Sequence, residues 1–229
     1  MSEWWTYRPA DFLMFAPGTY WRLFELHNQA LWPAQVLAVL VGLAIAVGLW
    51  RGQGGALRGA AVVLALGWAF VTWAFLWQRY AAINWAAIGF AWGFGVQAIG
   101  LLVLSTRPSL LMASEPRRRL AGLGLVLWSL LAHPVLAPAL GRPWAQAEVV
   151  GLAPDPTAIA TLGMLLCADA STRATRATRV LLGALCVGAL AWCAVSAAIL
   201  ATMGSAQAWV MLAAMVLAAV ALGFARARA

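Results

Sequence analysis

The side chains able to do chemistry are few: two His, three Cys and seven Asp or Glu in 229 residues, and all 15 basic residues are Arg. Without Lys, a retinal or pyridoxal Schiff base, a phosphate-loop lysine and a catalytic lysine are excluded. His27 and His133, taken with Glu25, Glu148 or Asp155, have the donor types of a His/carboxylate metal site. The chain has no HxxxH or HExxH spacing, so these residues are weak metal candidates. Either histidine, protonated on an acidic side of a membrane, is also able to gate a conformational change. Cys167, Cys186 and Cys193 form no CxxC pair and lie in apolar runs, so they read as small hydrophobes without a disulfide. No nucleophile–base pair stands out, which makes an enzyme the weakest reading, and the residues leave any cofactor open.

These groups sit in a chain that is 64% hydrophobic and 10% charged. A soluble domain has no interior large enough to hide that much apolar surface. The composition predicts an all-α, polytopic transmembrane bundle. A crossing needs about 20 mainly apolar residues, and seven stretches qualify: 29–50, 57–77, 82–104, 119–140, 152–169, 178–202 and 206–225. The fourth carries His133, Pro134 and Pro138, which predict a kink or an unwound end. The fifth is short and starts at Pro154-Asp155-Pro156-Thr157; it is either a full crossing or a re-entrant half-helix. Residues 1–28 mix aromatic and charged side chains, among them Trp4, Trp5, Tyr7, Phe12 and Trp21. They read as an interfacial segment rather than a signal peptide. Residues 29–229 read as one bundle, with no linker long enough to divide it.

The arginines orient the chain, because cytoplasmic loops collect Arg and Lys. With seven spans, one side holds 11 of them: Arg51, Arg58, Arg107, Arg117, Arg118, Arg119, Arg173, Arg176, Arg179, Arg226 and Arg228. The other holds four: Arg8, Arg22, Arg79 and Arg142. A re-entrant fifth stretch would level this bias. Seven spans are therefore expected, with the N-terminus outside and the C-terminus cytoplasmic. The basic residues are spread along short loops, so nucleic acid is not an expected partner; the lipid bilayer is. Arg117-Arg118-Arg119 suits anionic lipid, and Asp169 has the spacing to pair with Arg173 or Arg176. Small-xxx-small spacing at Gly89, Gly93 and Gly100, and at Ala184 and Gly188, serves packing inside the bundle or a homo-oligomer.

In this topology the scarce polar residues gather at the outer level. The candidate ligand-binding set is His27, Asn28, Arg79, Asn84, His133, Asp155 and Thr157, with Glu25 and Glu148 behind it. Proline-broken helices expose backbone groups to a ligand, and the start of the fifth stretch offers free N–H groups. The alternative is that these residues cap helices and pair at the water interface, with His133 satisfying a carbonyl freed by Pro134 or Pro138.

The run from Phe12 to Asn28 (FLMFAPGTYWRLFELHN), followed by Leu31-Trp32-Pro33, resembles a family of uncharacterised bacterial multi-pass membrane proteins, a domain of unknown function. Tyr80–Trp85 (YAAINW), Gly151–Thr157 (GLAPDPT) and Thr161-Leu162-Gly163 resemble it too. The resemblance implies a bacterial inner-membrane protein and brings no catalytic residues. The expected function is binding or transport of a small solute or ion through an outward-facing polar pocket. The alternative is an accessory or sensor protein that docks a partner through its outer aromatic surface.

Overall fold

The computed structural model describes residues 13–53 and 55–226, and it is a helical bundle. The aromatic residues Trp4, Trp5, Tyr7 and Phe12 of the interfacial segment, with Arg8 and Arg228, lie outside the described residues. Helix α1 (Pro17–Leu31) starts at a proline, whose missing N–H costs nothing there. It stops before Trp32-Pro33, because the residue preceding a proline is pushed out of helical geometry. Helix α2 (Ala34–Trp50) leaves at 88° to α1. The stretch expected over 29–50 is therefore divided by an elbow: α1 carries the mixed aromatic and polar sequence, and the apolar run begins at Ala34.

Helix α3 (Ala56–Phe70) continues as a π-helical segment over Val71–Trp77. Thr72 Oγ1 donates to the Trp68 carbonyl at 2.8 Å, and such back-bonding disturbs a helical ladder. Helix α4 is Ala86–Ser105. Helix α5 (Pro116–Leu127) passes into a π segment (Trp128–Ala132), a 3-10 turn (His133–Val135) and the short α6 (Leu136–Ala139). This is the irregular end that His133, Pro134 and Pro138 predict. Helix α7 is Pro154–Leu166, α8 is Arg176–Thr202 and α9 is Ala208–Arg226. Strands β1 (Leu110–Met112) and β2 (Ala168–Ala170) pair antiparallel, with Leu111 opposite Asp169.

Four helical runs are long and apolar enough to cross a membrane: Ala56–Ala82, Ala86–Ser105, Pro116–Ala139 and Arg176–Thr202. A fifth joins them if α1 and α2 count as one bent span. All seven expected stretches are helical, but not all have crossing length. α7 has 13 residues, which is about 20 Å at 1.5 Å per residue. Every one of those residues is buried. α7 packs against α3, α5, α8 and α9 and forms the axis of the bundle, with no face left for lipid.

Close backbone approaches hold α7 in place. A Cβ on Gly163 would lie 2.6 Å from the Gly122 carbonyl oxygen of α5. One on Gly67 of α3 would lie 2.9 Å from Gly151 Cα, and Gly151 itself has φ +81°. The Cys167, Cys186 and Cys193 thiols are free.

The connections sort to two ends. At one end Arg119 Nη2 donates to the Trp50 carbonyl at 2.8 Å, and the β1–β2 pair joins the α4–α5 loop to the α7–α8 loop. Arg118 donates to the Leu165 and Ala168 carbonyls and lies 3.6 Å from Asp169 Oδ2. Asp169 therefore pairs with Arg118 rather than with Arg173 or Arg176. The strand pairing turns β2 toward α5 and away from the start of α8. At the opposite end, the rings of Phe15 and Tyr20 pack on Tyr80, and Arg142 Nη2 donates to Gln207 Oε1 at 2.6 Å.

Candidate functional site

The loop of residues 140–153, at the end that carries α1, builds the site. Three predicted residues strap it down through its backbone. His27 Nε2 lies 3.0 Å from the Leu152 carbonyl. Asn28 Nδ2 donates to the Ala145 and Ala147 carbonyls at 2.8 and 2.7 Å. Thr157 Oγ1 donates to the Ala153 carbonyl at 2.6 Å and accepts from Gly151 N at 2.7 Å. An irregular buried backbone must find such partners. The straps fix Glu148, which the loop turns inward.

Glu148 is buried, and its Oε1 accepts from Gln207 Nε2 at 2.5 Å. Its Oε2 has no hydrogen-bond partner and lies 3.9 Å from His133 Nε2. Neither nitrogen of the buried His133 has a partner. His133 thus faces a carboxylate and not a carbonyl freed by Pro134 or Pro138, because the π and 3-10 turns re-route the backbone bonds and swing the ring inward. Gln207 also accepts from Arg142, whose guanidinium stands 3.5 Å over the Trp21 ring. Burial lowers the Arg142 pKa, and the Glu148 carboxylate opposes that shift.

Asp155, on the first turn of α7, is fully buried. Oδ1 accepts from Trp192 Nε1 at 2.9 Å, and Oδ2 accepts from Ser196 Oγ at 2.7 Å. Trp192 and Ser196 are four apart on α8, so one helical face presents both donors. Asp155 feels the Glu148 carboxylate and the His133 ring electrostatically. Burial, followed by the Asp155 and Glu148 carboxylates, raises the Tyr20 phenol well above its ordinary pKa and keeps it neutral.

Of the seven predicted site residues, His133 faces Glu148, and Asp155 is held by Trp192 and Ser196 within electrostatic reach of both. His27, Asn28 and Thr157 support the loop. Asn84 bonds to the Tyr80 hydroxyl at 3.0 Å and to Ala86 N at 3.0 Å. Arg79 is half-buried with an unpartnered Nε, and it acts electrostatically on His27. Of the weak metal candidates, His133 and Glu148 approach each other, whereas Glu25 pairs with Arg22 and His27 lies against a carbonyl. Among the described residues no three His, Cys, Asp or Glu side chains form a metal-holding group. Ser196 and Gln207 were not among the expected residues. The only sequence signal for Ser196 is a hydroxyl one turn after a deep Trp in an apolar helix.

The arrangement is a buried His133–Glu148 pair, with the buried Asp155 within electrostatic reach and Arg142 at its edge. Two carboxylates and one guanidinium leave one negative charge, and one further proton brings the group to neutrality. Low-dielectric surroundings favour the neutral set.

No curated protein and no solved structure matches this chain. One family model matches residues 18–229, the span that holds every residue of the buried group. The chain belongs to DUF6064, a family of unknown function.

Proposed function

We propose that this chain is a bacterial inner-membrane protein that binds or moves a small solute or ion, coupled to a proton, at the His133–Glu148–Asp155 group. The observation that carries the reading is the 3.9 Å gap between His133 Nε2 and Glu148 Oε2, both buried and neither hydrogen-bonded there. Ionisable side chains inside a membrane protein are costly and mark pathways and proton relays. Seven crossings with the N-terminus outside go with this reading. The grouping of the α2–α3, α4–α5 and α7–α8 loops at one end, rich in arginine, supports them. α7 then crosses as a short central helix, shielded from lipid by its neighbours.

The test uses protein reconstituted in vesicles. Infrared difference spectra between about pH 5 and 8 should carry a carboxyl band that Glu148→Gln removes and His133→Gln shifts. A pH gradient should drive dye-reported proton flux that both variants abolish. If the wild-type spectrum shows no carboxyl change and the flux equals that of empty vesicles, the reading fails. The second reading is an accessory or sensor protein that docks a partner. It rests on the exposed indoles of Trp32, Trp85, Trp144 and Trp209, each more than 60% accessible. Pull-down of one stoichiometric membrane partner, lost on Trp144→Ala, would favour it.

A further inference from the structure

Helix α2 is held to the bundle mainly at its C-terminal end, where Ala46, Gly48 and Leu49 are its buried residues. Toward the elbow it stands away from α3, α5 and α7 and leaves a cleft of about 290 Å³. Its walls are apolar, with Ala38 and Val41 on one side and Val63, Phe70, Leu130 and Met164 on the other. It is lined along α2 from Ala34 to Leu49, about 22 Å at 1.5 Å per residue. One leaflet of hydrocarbon is about 15 Å deep, so the cleft has the length of a whole acyl chain.

A second cavity of about 450 Å³ adjoins it at the elbow. Ala34 and Val150 line the apolar cleft, and their chain neighbours Gln35 and Val149 line the second cavity. Its lining includes Asn28, Gln29 and Gln35 and the indoles of Trp32 and Trp144. No Arg lines it. The Gln35 Oε1 acceptor is buried without a donor, while its Nε2 is spent on the Asn28 carbonyl. The Asn28 amide is spent on the loop, and Gln29 and Gln146 both point at the Glu25 carboxylate. The unfilled chemistry is thus one acceptor oxygen beside two indole faces, which together suit a donor-rich cation.

We propose that the two cavities form one site for a membrane lipid with an amine headgroup, of the phosphatidylethanolamine class. Its acyl chain lies behind α2, and its ammonium sits at Gln35 between Trp32 and Trp144.

Native mass spectrometry tests this on the full chain, delipidated and then exposed to vesicles of equal phosphatidylethanolamine and phosphatidylglycerol. Wild type should retain one phosphatidylethanolamine. Ala38→Trp, which fills the cleft, should lower that occupancy about tenfold, and Leu40→Trp, on the exposed side of α2, should leave it unchanged. Gln35→Leu should abolish the preference for the amine headgroup. Should Ala38→Trp not fold, Val63→Phe fills the same space from α3. Equal retention by the cleft-filling variant and wild type overturns the site. So does wild type that holds phosphatidylglycerol as well as phosphatidylethanolamine.

Discussion

Trp192 Nε1 donates to Asp155 Oδ1 at 2.9 Å, and this bond ties the long outer helix α8 to the first turn of the central helix α7. Ser196, one turn further along α8, holds the other oxygen. A carboxyl in a fully buried place is tolerable when both oxygens are matched, and expensive when one is left bare. Ser196→Ala should therefore cost about 1–3 kcal/mol. Trp192→Phe should cost more, because it also reshapes packing against Phe94, whose ring centroid lies 4.7 Å away. Thermal unfolding followed by size-exclusion in detergent should show the larger loss for Trp192→Phe and the smaller for Ser196→Ala. A Ser196→Ala protein with wild-type Tm would show that the bond carries no stability.

The contact of α5 with α7 rests on two glycines. A methyl group on Gly163 would meet backbone at 2.6 Å (Gly122 O) and 2.9 Å (Val126 N), and backbone cannot swing aside. Overpacking of this kind costs about 1–3 kcal/mol or more. Gly59→Ala is the matched control, because nothing lies within 4 Å of its added Cβ. In a helix interior that change gains about 0.5–1 kcal/mol. Gly163→Ala should lower Tm, and Gly59→Ala should hold or raise it. Equal Tm values for the two variants would refute the close approach.

Most of the scaffold was legible and much of the site was not. Apolar runs alone locate the helices from Ala34 onward, and Pro134 and Pro138 foretell the broken end of the α5 run. The π segment over Val71–Trp77 has no proline to announce it; at its start the Thr72 hydroxyl bonds back to the Trp68 carbonyl. Asp155 and His133 stand out because polar groups are rare in apolar runs. His27 and Asn28 stand out equally, yet both are spent on carbonyls of a loop more than 100 residues away. Sequence spacing carries no sign of that pairing. Ser196 and Gln207 are ordinary residue types that matter only through what faces them.

His27 gives the protein a pH dependence of known sign. Burial, and secondarily the Arg79 guanidinium, push its pKa from 6.5 down to about 4, against the pull of the Leu152 carbonyl. The folded state therefore prefers the neutral ring. Its contribution is complete above about pH 6.5 and fades as the pH falls toward 4. Tm should drop across that window in wild type. His27→Gln, which keeps an amide donor near Leu152, should flatten the drop even if its Tm at pH 7.5 is lower. Parallel pH profiles for the two proteins would assign the acid sensitivity elsewhere.

Arg118 ties the first turn of α5 to the stretch where α7 runs into β2: it donates to the Leu165 and Ala168 carbonyls and faces Asp169. Cations at a helix C-terminus are favourable, and a guanidinium reaches several oxygens at once where an ammonium reaches fewer. Arg118→Met should cost about 1.5–3 kcal/mol, and Arg118→Lys should restore only part of it. Asp169→Asn should change little, because that carboxylate is half exposed and its ion pair is long. A Lys variant as stable as wild type would mean that only the charge at this position matters.

The path of α7 decides whether the chain makes seven crossings. β1 and β2 lie side by side, so Ser114 and Thr172, both exposed beside them, belong at one end of the bundle. Ala206, exposed in the α8–α9 turn near Gln207 and Arg142, belongs at the other. In a background with Cys167, Cys186 and Cys193 replaced by Ala, single cysteines at these positions give three independent reports. A membrane-impermeant maleimide added to intact cells should label Ala206→Cys, while Ser114→Cys and Thr172→Cys should react only after the membrane is opened. Labelling of Thr172→Cys from outside, with Ser114→Cys protected, would make α7 re-entrant. Reversal of all three would invert the orientation while leaving the crossing of α7 intact. The arginine distribution and the β pairing are independent of each other, one a matter of insertion and one of packing. The first predicts a cytoplasmic Ser114, and the second keeps Thr172 beside it.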